Sequence, residues 1–251
     1  MSVVFQHLRD TPNLGDRWCS PFDWFDWPDD TEARDLREPG PTYGIGIYGG
    51  GKIFGGLSTY AGVQAESATL NIAWGVSTVQ SFPISRRYSK ARKMCSVIGS
   101  RDYGDRSFDW VPCASCMSPS FDDPAAPEHD VVFYGHGGKT AKQGLKPPGS
   151  MPTLTNNADT LEDALAFIAS GRTVVSNSYH GVYWALLMGR KVICVPFSNK
   201  FNNYREAPAY ATPRNWLERL DAGIARPEML NFCRDRSVAF YQETLRRIET
   251  L

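Results

Sequence analysis

The segment from Arg172 to Lys200 reads RTVVSNSYHGVYWALLMGRKVICVPFSNK, and it holds the groups best suited to chemistry. His180 is the one side chain in its loop that passes a proton near neutral pH. The pattern of the segment is strand, loop, helix, strand, loop. It predicts a strand over Arg172 to Ser176, a helix over Gly181 to Met188 and a strand over Lys191 to Phe197. Ser176 to Gly181 then falls at the carboxyl edge of a sheet, where open α/β sheets bind ligands. Backbone N–H groups at a helix start favour an anion, and Asn177, Ser178 and Tyr179 add neutral donors. Lys200 follows the next strand and is presented at the same edge. A histidine, a lysine and a helix start together describe a site for an anionic ligand. The same spacing also suits a structural histidine whose ring ties its loop to a neighbouring carbonyl.

Other residues sit at comparable places. Asn13, Gly15 and Asp16 lie in NLGD, just after an expected first strand over Val3 to His7. As a plain turn, this stretch would use Asp16 to cap the segment that follows. Gly50 and Gly51 belong to a GGG run that lets backbone approach a ligand or a helix closely, or simply makes a tight turn. His136, in YGHGGK with Lys139 and Lys142 nearby, faces the same expected cleft. It reads either as an anion contact or as part of a mobile, solvated loop. Arg86, Arg87, Lys90, Arg92 and Lys93 read as the solvated face of a basic helix.

The elements that must position these groups follow a βαβ rhythm. Expected strands cover Tyr43 to Tyr48, Asn71 to Val76 and Cys95 to Ile98. A loose helix is expected over Leu57 to Ala68, and a basic helix, capped by Ser85, runs through Lys93. SPFDWFDWPDD is too rich in proline and aspartate for regular structure, and its Phe22, Trp24, Phe25 and Trp27 either platform a sugar ring or cover the N-terminal core. The proline-rich Cys113 to Pro127 is a composition break, after which the rhythm restarts with a strand over Asp130 to Tyr134. A helix over Thr160 to Ser170 is expected to be capped by Asp159, with Glu162 completing a capping box and Gly171 ending it. An amphipathic helix is expected over Ser237 to Ile248. The expected fold class is α/β: two Rossmann-like, doubly wound halves, residues 1–118 and 119–251, with a cleft between them.

Composition narrows the function classes. In 251 residues, 27 basic groups balance 27 acidic ones, which argues against a nucleic-acid binder. Hydrophobic content of 42% supports a core and excludes wholesale disorder. No secretory signal is expected at the N-terminus, and no apolar run is long enough to span a bilayer. Six sparse cysteines point to free thiols and a cytoplasmic location. Cys113 and Cys116 form one CxxC without a second, and His129 and His136 lie outside zinc-finger spacing, so no metal site is expected.

NLGD at Asn13 to Asp16, GGG at Gly49 to Gly51, SRD at Ser100 to Asp102 and the long block ending at Lys200 occur in the order of the polysaccharide pyruvyl transferase family, which this chain resembles. The resemblance implies two Rossmann-like halves in a GT-B-like arrangement, the N-terminal half handling the acceptor and the C-terminal half the donor. It implies transfer of a pyruvyl group from phosphoenolpyruvate to a sugar or lipid-linked glycan of an exopolysaccharide, capsule or cell wall, closing a ketal across two hydroxyls. Phosphoenolpyruvate is then a substrate, and no cofactor is needed. The implied catalytic residues are His180 as the acid or phosphate contact, Arg101 as an anion clamp and Asp16 as a base toward an acceptor hydroxyl. Asn13, Gly15, Gly50, Gly51, Asn177, Ser178, Tyr179 and Lys200 are the implied substrate-binding residues, and His136 joins them from its place after the first strand of the second half. Two departures stand out: the chain is short for the family, and Ser178 occupies a place where many members carry arginine. A GT-B-like glycosyltransferase using a nucleotide sugar is the rival enzyme, although the helix after His180 offers no acidic residue to hold a donor ribose. A non-catalytic glycan-binding relative is the third alternative.

Overall fold

Eleven strands and seven α-helices, joined by short 3₁₀ turns, make up the residues described in this computed structural model: 2–38, 40–79 and 86–251. In chain order they begin with β1 (Val3–His7), α1 (Leu14–Arg17), β2 (Thr31–Asp35), β3 (Ile45–Gly49), α2 (Leu57–Tyr60) and α3 (Gly62–Ser67). Then come β4 (Leu70–Val76), α4 (Arg86–Met94), β5 (Val97–Ser100) and β6 (Asp109–Trp110). The second half contains β7 (His129–Gly135), β8 (Thr153–Thr155), α5 (Leu161–Ala169), β9 (Gly171–Ser176), α6 (Tyr179–Leu187), β10 (Lys191–Cys194), β11 (Ala209–Tyr210) and α7 (Met229–Glu249). The chain is therefore mixed α/β, with two parallel sheets.

Two compact units result. The first comprises Met1–Thr11, Asp16–Met117 and Cys233–Leu251; the second comprises Pro12–Gly15 and Ser118–Phe232. The change at Ser118 falls inside the proline-rich break. The C-terminal helix does not stay with the second half, as the division into 1–118 and 119–251 had it. From Cys233 onward it joins the first unit, where Phe240 packs edge-on against Trp74 at 4.7 Å and Arg236 Nε donates to the Trp110 carbonyl at 2.7 Å. Pro12–Gly15 conversely belongs to the second unit.

In the first unit the strand order is β2-β1-β3-β4-β5-β6, all parallel. Both faces are covered. Phe5, Ile47, Ile72 and Trp74 build one core, while Tyr48, Ala73, Phe54 and Tyr88 build the other. Alternate residues of one strand thus enter opposite cores, as the two-residue period of a strand requires. Phe22, Trp24, Phe25 and Trp27 pack on the first of these cores. Trp24 and Trp27 donate their indole N–H groups to the carbonyls of Trp18 and Pro21, both at 3.1 Å. The aromatic-acidic stretch is therefore a cover for the core rather than a sugar platform. Apart from one 3₁₀ turn at Pro21–Asp23 it has no regular structure, as its composition predicts, and the edge strand β2 that follows it was hidden by its polar TEARD pattern.

In the second unit the order is β11-β10-β9-β7-β8, again parallel. Phe133, Val175, Ile193 and Trp216 fill one face, and α5 and α6 contact β9 and β10. Several expectations shift by a residue or more. Thr160, not Asp159, caps α5: its hydroxyl accepts from Asp163 N at 3.0 Å, so Glu162 is not the capping-box partner. Gly171 opens β9 rather than closing α5, and a side chain there would strike Val132. Helix α6 begins at Tyr179, so His180 lies in its first turn rather than in the loop before it. In the first unit, the helix expected over Leu57 to Ala68 breaks into α2 and α3, and Ser85 lies outside the described residues. Strands β6, β8 and β11 escaped the sequence pattern because each has only two or three residues.

His7, at the end of β1, is 2% exposed. Its Nε2 donates to the Arg17 carbonyl at 3.0 Å. Burial, aided by the nearby Arg9 charge, pushes its pKa down to about 4, despite the opposing pull of the Arg17 carbonyl and Asp35. Because the folded state resists protonation, stability is complete above the unfolded value of about 6.5 and drains away as pH falls through about 4. The loss should reach roughly 3 kcal/mol. Urea unfolding at stepped pH should show this fall, and His7→Gln should flatten it; an unchanged slope in the variant would rule out His7 as its source.

Candidate functional site

Each sheet reverses its strand order once, between β1 and β3 in the first unit and between β7 and β9 in the second. At such a reversal the connections leave in opposite directions and open a crevice at the carboxyl edge. The sequence motifs sit at these two places: NLGD follows β1, GGG follows β3, GHGGK follows β7 and SNSYHG follows β9.

The second-unit site is organised by two asparagines. Asn177 is fully buried; its Oδ1 accepts from the His136 backbone N–H at 2.8 Å and the Thr140 hydroxyl at 3.1 Å, while Nδ2 donates to Gln143 Oε1 at 2.7 Å. Asn156, after β8, accepts from Gly137 N at 2.8 Å and donates to Asn13 Oδ1 at 2.8 Å; its carbonyl accepts from Leu14 N at 2.9 Å. These bonds tie the glycine-rich loop after β7 to the start of NLGD. The loop is thus anchored by these bonds, while Gly137, Gly138 and Lys139 remain exposed to solvent, as the solvated reading has it. Asn156 was missed because three-residue β8 leaves no periodic signal before it.

Ser178 is the N-cap of α6, its hydroxyl accepting from Gly181 N at 3.5 Å. The place where an arginine is frequent in the resembled family therefore serves the helix here. Tyr179 is buried and stacks on Tyr204 at 4.7 Å, and the Tyr204 hydroxyl donates to the Tyr179 carbonyl at 2.9 Å. Its ring is a supporting wall rather than an open contact surface. His180 is 4% exposed, with its ring 5.5 Å from that of Trp184. A Cβ built on Gly15 would lie 1.9 Å from His180 Nδ1. The glycine is therefore required by close approach to the imidazole, not by a turn.

Three further groups gather on Phe197. Lys200 Nζ lies 4.8 Å from its ring centre and Lys139 Nζ 5.8 Å, and the His136 ring is 5.5 Å away. Lys200 also reaches the Phe201 ring at 5.1 Å. Burial first, then the charges of Lys200 and Lys139, lowers the His136 pKa, so it is a neutral imidazole beside two ammonium groups at neutral pH. Two cations, a neutral imidazole and the start of α6 suit an anion carrying more than one acceptor group.

In the first unit, Gly50 and Gly51 have φ of +57° and +70°, a region that favours glycine. A side chain on Gly50 would collide with Cys19, and one on Gly51 would approach Asp16 Oδ1 to 3.2 Å. Asp16 and Gly51 are thus neighbours across the β1–β3 reversal. Arg101 is 3% exposed, and its N–H donates to Val76 O at 3.0 Å. The buried Cys19 thiol, raised mainly by burial, feels the charges of Cys113, Asp16 and Arg101. The buried Cys19 and Cys113 thiols both feel the charges of Asp16 and Arg101. Asp102, the last residue of SRD, accepts at Oδ2 from Ser77 Oγ (2.9 Å), Thr78 N (2.7 Å) and Val79 N (2.9 Å), which makes it an anchor for the loop after β4.

No family model matches the chain, and no curated protein sequence does. Among solved structures it is similar to the glycotransferase of kitacinnamycin, with a TM-score of 0.41 and 12% identity over 78% of this chain and 72% of that one. A similarity of that size leaves function to be argued from the site. No described helix is long and apolar enough to cross a membrane.

The Gly15–His180 contact makes a sharp test. Gly15→Ala should destabilise the protein by about 1–3 kcal/mol through overpacking. In a His180→Gly background the same change should cost less than about 0.5 kcal/mol, since Nδ1, Cγ and Cβ of residue 180, the three atoms it would strike, are all gone. Urea unfolding of the four proteins measures the coupling; additive costs would show that the two residues do not touch.

Proposed function

We propose that this protein transfers the enolpyruvyl group of phosphoenolpyruvate to a sugar of a surface polysaccharide, closing a pyruvate ketal across two hydroxyls and releasing phosphate. The observation that carries this is the meeting of NLGD with the long C-terminal block: the Gly15 backbone packs on Nδ1 of His180. Two of the segments on which the family resemblance rests thus form one surface.

The donor carries a carboxylate and a phosphate. Lys200 and Lys139, beside neutral His136 and the start of α6, supply the charge and donors such a dianionic group needs within a chain of zero net charge. In the proposed reaction His180 delivers a proton to the methylene carbon, leaving an oxocarbenium-like centre at the adjacent carbon. One sugar hydroxyl attacks that centre and releases its proton. The second hydroxyl then gives up its proton and forms the other C–O bond as the C–O bond to phosphate breaks, and the phosphate leaves with both bonding electrons. Asp16 takes the base role toward an acceptor hydroxyl, and Arg101 steadies negative charge on the acceptor half. The GT-B-like arrangement with a central cleft, implied by the resemblance, is part of the same proposal.

Ser178 bears on the donor clamp. With its hydroxyl capping α6, the anion contacts fall to the lysines on Phe197 rather than to an arginine before the histidine.

³¹P NMR of phosphoenolpyruvate with a panel of glycans should show conversion to inorganic phosphate only when a suitable acceptor is present. His180→Ala, with an unchanged melting temperature, should lower turnover by at least about 10²-fold, the contribution of a general acid. Full turnover in that variant would remove His180 from the mechanism. Release of a nucleoside diphosphate or monophosphate from a nucleotide sugar instead would make the protein a glycosyltransferase.

A further inference from the structure

The first unit carries a cleft of about 150 Å³ lined by His7, Arg9, Arg17, Trp18 and Asp23. None of these residues belongs to the site above. They come from both sides of NLGD in sequence, and their backbone is held in place. His7 Nε2 donates to the Arg17 carbonyl at 3.0 Å, and Trp24 Nε1 donates to the Trp18 carbonyl at 3.1 Å. Asp23 ends a 3₁₀ turn that Ser20 caps through Phe22 N.

The hydrogen-bonding capacity of the cleft is specific. Since His7 Nε2 is a donor, a neutral His7 carries a lone pair on Nδ1, which is buried and has no hydrogen-bond partner. The Trp18 indole N–H is likewise buried without an acceptor. Both atoms are closed to solvent, and leaving them unpaired beside the cleft is costly. The charges are equally telling. Two guanidinium groups against one carboxylate leave one net positive charge, which matches a monoanion better than a phosphate dianion. Asp23 is an acceptor, so the ligand must also bring O–H donors. Trp18 adds an aromatic surface, which suits the apolar face of a sugar ring.

We propose that this cleft is a subsite for an acidic sugar, a hexuronate residue, with its carboxylate on Arg9 and Arg17, its hydroxyls on Asp23, and its ring against Trp18. The assignment deepens the proposed function and rests on it in one respect: it makes the acceptor glycan of the pyruvyl transfer an acidic one. The binding itself needs no phosphoenolpyruvate.

Saturation-transfer NMR of the full chain with sodium glucuronate, glucose and inorganic phosphate reads affinities into the millimolar range. Glucuronate should bind saturably. Glucose, lacking the charge, and phosphate, lacking the ring and hydroxyl pattern, should each bind at least about tenfold more weakly. Arg9→Gln and Arg17→Gln, each checked for unchanged melting, should weaken glucuronate about tenfold, the effect of one charge-assisted hydrogen bond. Absence of saturable glucuronate binding, phosphate binding as tight as glucuronate, or wild-type affinity in both arginine variants would overturn the assignment. The two proposals fail separately: glucuronate can bind a protein that never turns over phosphoenolpyruvate, and turnover on a neutral glycan can occur without glucuronate binding.

Discussion

The reversal of strand order in each sheet is the constraint on which the rest depends. A parallel sheet must return its chain by crossovers, and where successive crossovers leave in opposite directions the carboxyl edge is left uncovered. Between β7 and β9 this opening receives the glycine-rich loop and the start of α6; between β1 and β3 it receives the chain leaving β1 and the GGG turn. NLGD, GGG, GHGGK and SNSYHG sit where the topology leaves backbone able to meet a ligand, whereas SRD follows β5 and its Asp102 anchors the loop after β4. The hydrophobic cores hold these edges rigid: β4 and β9 are almost entirely buried along their lengths.

Loops at an open edge need a reason to stay in place, and here buried amides supply it. Asn156 and Asn177 each use both ends of the side-chain amide, joining segments far apart in sequence. A buried amide left half satisfied costs about 1–3 kcal/mol, so these bonds discriminate strongly against other loop conformations. Their effect is to set His136 and its lysine neighbours over Phe197, and the NLGD glycine against His180. Burial then tunes the chemistry: His136 is held neutral by enclosure and by the lysine charges, whereas Ser178 is committed to the helix cap.

Much of this was legible in the sequence, for identifiable reasons. Val3 to His7, Asn71 to Val76 and Arg172 to Ser176 are dense apolar runs between turn signals, and the strands fall there within a residue or so. The candidate residues at the carboxyl edges follow from that strand placement together with the motifs. What was hidden depends on tertiary context. Strands β6 and β8 are too short for any period, and β2 is polar because it lies at an edge. The capping of α5 by Thr160 rather than Asp159 turns on one residue of register, and the return of α7 to the first unit turns on where Phe240 finds a partner. Gly15 looked like a turn glycine. Only coordinates reveal that its missing side chain makes room for His180.

Thermal unfolding with phosphoenolpyruvate, set beside a panel of nucleotides and nucleotide sugars, tests the central claim most directly. A ligand at about 100 times its dissociation constant stabilises the folded state by roughly 2.7 kcal/mol, a readily measured rise in melting temperature. Pyruvyl transfer predicts that rise with phosphoenolpyruvate and its loss when Lys200 and Lys139 are both replaced by alanine. A rise with nucleotides alone would contradict it and assign the anion site after β7 and β9 to a different donor.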